Sequence, residues 1–131
     1  MANWLVGEGY TSPNKLAGHG VSAGGLLVGN VVNTNPGLFA AIVMQVPFVD
    51  VLSLMLNHDL PLTASETEEW GDPLNDPKAF DLIRSYSPYE NILQQEYPPM
   101  YLTLGLRDMR VPFWSILKYI KRLRERSHNP D

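Results

Sequence analysis

The chain has 131 residues, of which 44% are apolar and 18% charged, and a formal net charge of −4; this predicts one domain with a packed core and excludes wholesale disorder. The acidic balance argues against a nucleic-acid partner, and no apolar run approaches the ~18 residues of a membrane span. The N-terminus Met1-Ala2-Asn3-Trp4 lacks the charged-then-apolar order of a signal peptide, and the absence of cysteine removes disulfides, thiolate metal sites and a thiol nucleophile, all in keeping with a cytoplasmic protein.

In chain order, Met1 to Val6 reads as the end of a helix closed by Gly7 and Gly9. Lys15 to Gly20 is a short strand. Ala23 to Asn33 is apolar on nearly every side, as a helix within a larger protein would be, and Asn35-Pro36-Gly37 ends it. The run Leu38 to Val46 (LFAAIVMQV) suits a strand covered on both faces. Asp50 to Leu56 forms a short helix with Asp50 as its cap. His58 to Asp76 is irregular and acidic. Asp76-Pro77 opens a helix through Arg84, with Pro77 at the first helical position, and Ser87-Pro88 breaks it. Tyr101 to Leu106 is a second buried strand. Pro112 to Arg126 is a helix whose Phe113, Ile116, Leu117, Ile120 and Leu123 repeat at 3.6 spacing. Alternating strands and helices imply an α/β fold with a mostly parallel sheet and flanking helices.

Gly20-Val21-Ser22-Ala23-Gly24 matches G-x-S-x-G between a strand and a helix. A serine on a tight strand-to-helix turn projects its hydroxyl above the sheet. Glycines on either side are expected because side chains there would strike the neighbouring strand and helix. The turn also aims the Ala23 N–H, backed by the helix N-terminus, at the oxygen of an attacked carbonyl. The competing reading is a glycine-rich turn that Ser22 merely caps.

A serine nucleophile needs a base, and the base needs an acid, in the chain order Ser, acid, His for α/β-hydrolases. Asp108, in the turn after Tyr101-Leu102-Thr103-Leu104-Gly105, is the candidate acid; otherwise it is a surface aspartate capping the next helix. None of the three histidines suits the base. His19 precedes the nucleophile, His58 precedes the acid, and His128 sits in a polar tail directly after the last helix.

Further motifs appear in order along the chain: Gly20 to Leu27, Gln45-Val46-Pro47-Phe48-Val49-Asp50-Val51, Pro61-Leu62-Thr63, Glu68-Glu69-Trp70-Gly71, Ser85 to Ile92, and Gly105-Leu106-Arg107-Asp108. Together they resemble the catalytic domain of the prolyl oligopeptidase family of serine peptidases, and within it the oligopeptidase B and prolyl endopeptidase-like branches. The resemblance covers essentially the whole chain. It implies an α/β-hydrolase fold and hydrolysis of short peptides, with Ser22 as nucleophile and Asp108 as triad acid. It also implies that the triad histidine follows beyond this chain, and that the first part of the sheet, an oxyanion-hole tyrosine and a β-propeller lie upstream of Met1. Residues 1–131 therefore read as part of a peptidase domain, close to inactive if made alone.

The oligopeptidase B likeness further implies cleavage after Lys or Arg, with Glu66 and Glu68 as the acids that pair the buried cation. Ser65-Glu66-Thr67-Glu68 is also a capping box, and the two roles can coexist. Arg110 matches a peptide-contacting arginine of prolyl oligopeptidases, or is a surface cation near a turn. Trp70, Tyr86 and Tyr89 are read as packing. No metal or nucleotide cofactor is expected, because nothing resembles a metal-ligand cluster or a phosphate loop. The alternatives are an esterase on the same fold and a truncated, non-catalytic product.

Overall fold

The computed structural model describes residues 1–61 and 63–129, so Leu62, Pro130 and Asp131 lie outside the described residues. Three strands, β1 (Ala17–Val21), β2 (Ala41–Gln45) and β3 (Met100–Thr103), pair in parallel in the order β1-β2-β3. Val21 stands opposite Gln45, and Gln45 opposite Thr103, so all three C-terminal ends reach one edge of the sheet. The helices are α1 (Ala2–Gly7), α2 (Ala23–Thr34), α3 (Val51–Met55), α4 (Thr63–Trp70), α5 (Pro77–Tyr86) and α6 (Phe113–Arg126).

Several ends form as the sequence predicts. At the end of α1, Gly9 takes φ +75, its N–H donates to the Val6 carbonyl, and the Tyr10 N–H donates to the Leu5 carbonyl. This is a Schellman closure, with Gly7 inside the helix. Asp76 accepts the Lys78 N–H at 2.9 Å and Pro77 opens α5. The Ser87-Pro88 break is anchored to α2, where the Asn30 amide donates to the Tyr86 carbonyl and the buried Asn33 amide to the Pro88 carbonyl.

Other expectations need correction. The strands are shorter than predicted, because Pro13–Lys15 and Pro36–Leu38 each form a single 3-10 turn before the chain extends. The sheet is covered on one face only among the described residues. Gly18, Gly20, Ile42 and Met44 point into the core with Val32 and Tyr119, whereas Ala17, His19, Val21 and Gln45 are exposed and Tyr101 is 67% exposed. An apolar run reports the character of a strand, not which layer covers it. The acidic stretch His58 to Asp76 is not wholly irregular: it contains α4, which starts two residues before Ser65. Ser65 therefore lies inside the helix and cannot head a capping box.

Asp50 occupies the N-cap position of α3 but makes no cap bond; its carboxylate accepts a 2.8 Å hydrogen bond from Lys118 of α6. That pairing ties α6 to the start of α3. Ser115, Ile116 and Tyr119 are buried and Ile120 and Leu123 half-buried, while Phe113 and Leu117, expected on the apolar stripe, are exposed.

Candidate active site

The strand-to-helix turn after β1 carries Ser22 at φ 51, ψ −119, a left-handed conformation that costs a non-glycine residue free energy. Such strain persists only where neighbours over-determine it, and here they do. The Ser22 N–H donates to the Gln45 carbonyl at 3.0 Å, and the Ser22 carbonyl accepts from the N–H groups of Gly25 and Phe48, each at 2.9 Å. Ser22 makes no side-chain cap bond, so its hydroxyl is not spent on the start of α2. The Ala23 N–H, at the first helical position, has no carbonyl four residues back to receive it.

The glycines of the motif are not equivalent. A Cβ on Gly20 would lie 2.3 Å from the Gly24 carbonyl oxygen and 2.9 Å from the Gly25 nitrogen, both main-chain atoms. A Cβ on Gly25 would lie 2.3 Å from Pro47 Cβ and 2.6 Å from its Cα. Gly24, expected to be sterically required, faces open space among the described residues. The tight approach therefore belongs to Gly20 and Gly25, where the helix passes β1 and the turn after β2.

Asp108 lies in the turn after β3, at the same edge of the sheet. Its Oδ1 accepts the N–H groups of Arg110 (2.8 Å) and Val111 (3.0 Å), and its own N–H donates to the Gly105 carbonyl at 3.1 Å. The turn thus fixes one carboxylate oxygen through the main chain and leaves Oδ2 for another donor. Asp108 does not cap α6, whose N-cap position is Pro112. One strand separates β1 from β3, which puts their axes about 10 Å apart. Two hydrogen bonds of about 2.8 Å and the width of an imidazole span a gap of that order.

No histidine among the described residues bonds either group. His19 sits exposed on β1 with Nε2 3.3 Å from Gln45 Oε1, His58 lies 3.8 Å from Asp72, and His128 is exposed after α6.

On α4, the Trp70 indole N–H donates to Glu66 Oε2 at 3.1 Å, and the Trp70 ring packs against Phe48 with centroids 5.5 Å apart. Glu66 is thereby linked through Trp70 to Phe48, the residue whose N–H holds the Ser22 carbonyl. Glu68 is exposed. Two residues apart on a helix, the two acids point about 200° away from each other, so the structure brings Glu66, and not Glu68, beside Trp70. Arg110 is exposed, and its guanidinium forms no ion pair among the described residues.

The model of the prolyl oligopeptidase family matches residues 1–131. The chain belongs to this family. Protease 2 from Moraxella lacunata is 49% identical over 123 residues, which are 94% of this chain and 18% of that protein. A prolyl endopeptidase-like protein from Xenopus laevis is 49% identical over 121 residues, 92% of this chain and 17% of that protein. Among solved structures, oligopeptidase B from Leishmania major superposes with a TM-score of 0.95 at 45% identity, covering 99% of this chain and 18% of that one. The chain thus spans under a fifth of the length of the relatives it matches, and its sheet and helices belong to their α/β-hydrolase fold.

Two features of this prolyl oligopeptidase segment escape sequence reasoning. Val46, before Pro47, takes φ 41, the second positive φ at a non-glycine residue among those described. Asp50, fully buried, pairs with Lys118, whose ammonium also donates to Ser53 Oγ at 2.8 Å and lies 4.1 Å from the Tyr89 ring centroid. Tyr89, read as packing, therefore serves as a cation–π platform. Among the described residues, no helix is long and apolar enough to cross a membrane, and no three His, Cys, Asp or Glu side chains gather as a metal site would need.

Proposed function

We propose that this chain supplies the nucleophile and the acid of a serine peptidase that hydrolyses short peptides. In this reading Ser22 attacks the scissile carbonyl, the Ala23 N–H stabilises the oxyanion, and Asp108 orients a histidine contributed by sequence beyond these residues. The histidine takes the Ser22 proton on attack and returns it to the leaving amine; water then releases the acyl group by the same steps in reverse. The observation that carries the reading is Ser22 held at φ 51 on a strand-to-helix turn, with its carbonyl and N–H tied to the neighbouring strand end. The doubly anchored Asp108 at the same edge supports it, as does the family.

Cleavage after Lys or Arg is part of the proposal. Glu66, held by the Trp70 indole beside Phe48, is the better placed carboxylate for a cationic side chain. Glu68, exposed on the opposite side of α4, is left out of the proposed pocket, and Arg110 would contact the bound peptide. An oligopeptidase B from Trypanosoma brucei, 45% identical to this chain, has been solved with antipain covalently bound, which supports peptide-like ligands reaching this site.

The test is made on the complete protein, with arginyl and prolyl peptide substrates and short acyl esters, alongside Ser22→Ala and a fluorophosphonate label. Arginyl peptides cleaved best, with label and activity lost in Ser22→Ala, is the expected result. Preference for acyl esters would make the protein an esterase. Activity retained in Ser22→Ala would remove the nucleophile assignment altogether.

A further inference from the structure

We infer that the turn Val46-Pro47-Phe48 is a positioning element for Ser22, held under backbone strain for that purpose. The inference rests on the assignment of Ser22 as nucleophile. Only two non-glycine residues among those described have positive φ, Ser22 at 51 and Val46 at 41. They stand at the C-terminal ends of neighbouring strands, where β1 and β2 run in register from Ala17 opposite Ala41 to Val21 opposite Gln45. Valine is poorly suited to this conformation, being β-branched, and a following proline narrows its choice further. A valine held there is an outlier that its surroundings must enforce.

The surroundings can be named. The Val46 N–H donates to the Thr103 carbonyl at 3.0 Å, which fixes the turn to β3. The Val49 N–H closes onto the Pro47 carbonyl at 3.0 Å. The bend at Val46 brings Pro47 against Gly25, so closely that no Cβ fits there, and it carries the Phe48 N–H to the Ser22 carbonyl at 2.9 Å. One turn thus grips the main chain of the nucleophile at Ser22 and again three residues later. Two residues beyond Phe48, Asp50 is pinned by Lys118, so the grip is itself anchored to α6. Glycine at position 46 would adopt the same φ without strain but would also adopt many others. The turn would then rest against the elbow without being forced onto it.

The experiment uses the complete protein and compares Val46→Gly, Val46→Ile and Pro47→Ala with wild type. Readouts are kcat and KM on an arginyl peptide, the fluorophosphonate labelling rate of Ser22, and thermal unfolding. Val46→Gly is expected to unfold no earlier than wild type, yet to lose about tenfold in kcat and in labelling rate, with KM within twofold. Val46→Ile keeps the β-branched strain and is expected to retain wild-type kcat. Pro47→Ala frees the ring-locked φ and is expected to reproduce the Val46→Gly split, which decides the matter if Val46→Gly does not fold. Wild-type kcat in both Val46→Gly and Pro47→Ala overturns the inference, as does a loss in Val46→Ile equal to that in Val46→Gly. A wild type that neither cleaves nor labels refutes the peptidase reading first, and is told apart because every variant is then equally silent.

Discussion

Alanine at Gly20 and alanine at Gly24 should have opposite consequences, although both positions belong to the same five-residue motif. At Gly20 the new Cβ would meet the Gly24 carbonyl oxygen at 2.3 Å, the Gly24 carbonyl carbon at 2.7 Å and the Gly25 nitrogen at 2.9 Å. Ordinary carbon contacts are about 3.5–4.0 Å, so the overlap is of order 1 Å, and it falls on main chain that no rotamer change can move. Relief requires α2 to shift away from β1. That shift strains the bonds from Ser22 to Gln45 and from Phe48 to Ser22, each worth about 1 kcal/mol. Overpacking of this kind costs about 1–3 kcal/mol, and the rigid neighbours put Gly20→Ala at about 3 kcal/mol. A displacement near 1 Å at the nucleophile costs about 100-fold in rate. A Cβ at Gly24 would meet nothing within 4 Å among the described residues. Alanine there gains up to about 1 kcal/mol from helix propensity. The assay is the fluorophosphonate labelling rate of the complete protein, with the urea midpoint measured in parallel. Labelling should fall about 100-fold in Gly20→Ala and stay within about twofold in Gly24→Ala. Wild-type labelling in Gly20→Ala, or an equal loss in both, would refute the steric argument.

Asp108→Asn should keep the turn, since the amide oxygen can still accept from Arg110 and Val111, but it presents a donor where the histidine needs an acceptor; kcat should drop by about 10⁴ with an unchanged urea midpoint. Lys118→Met removes the ammonium from the fully buried Asp50 carboxylate and should destabilise the protein by about 3 kcal/mol, the low end for a broken buried pair because the lysine side chain is 36% exposed; Asp50→Asn in the same protein should recover part of the loss in urea unfolding. Burial holds the Glu90 carboxyl above the ordinary glutamate range, with the nearby Asp50 carboxylate adding to the shift. A raised carboxyl favours the folded state below its ordinary pKa, and that advantage is lost as pH rises through the raised value. Glu90→Gln should therefore flatten the fall in stability over this acidic window, and an unchanged pH profile would count against it.

What the sequence makes legible is what local chemistry decides. Gly9 closes α1 because it tolerates positive φ, Asp76-Pro77 opens α5 by capping and a pre-set φ, and Ser22 sits between a strand and a helix that hydrophobic patterning delimits. Two strand ends on one sheet edge then follow from parallel pairing alone, and with them the common side of the turns that carry Ser22 and Asp108. The misses depend on partners distant in sequence. Asp50 fits a cap by position, yet Lys118, 68 residues later, takes its carboxylate. On the same helix as Lys118, Phe113 and Leu117, which periodicity counts as core, are exposed among the described residues, while Ser115, Ile116 and Tyr119 are buried. Val46 carries no signal at all beyond the proline after it, since valine is a strand former and its contacts in the turn, the Val46 N–H on the Thr103 carbonyl and Pro47 against Gly25, come from two other elements.

The acids of α4 show how one distant contact alters the reading of a whole motif. Ser65-Glu66-Thr67-Glu68 has the pattern of a capping box, and as such would fold Glu68 back onto the Ser65 main chain. Thr63 prevents this. Its hydroxyl donates to the Leu54 carbonyl at 2.9 Å in a buried contact, and its N–H donates to the Leu60 carbonyl, so the helix is already under way two residues earlier. Ser65 then has helical neighbours on both sides, and helix phase distributes the carboxylates. Glu66 falls on the side of Trp70, four residues on, and takes its indole N–H. Glu68 turns to solvent. The first residue of α4, fixed by a bond to the end of α3, thus decides which carboxylate lies beside Trp70 and Phe48.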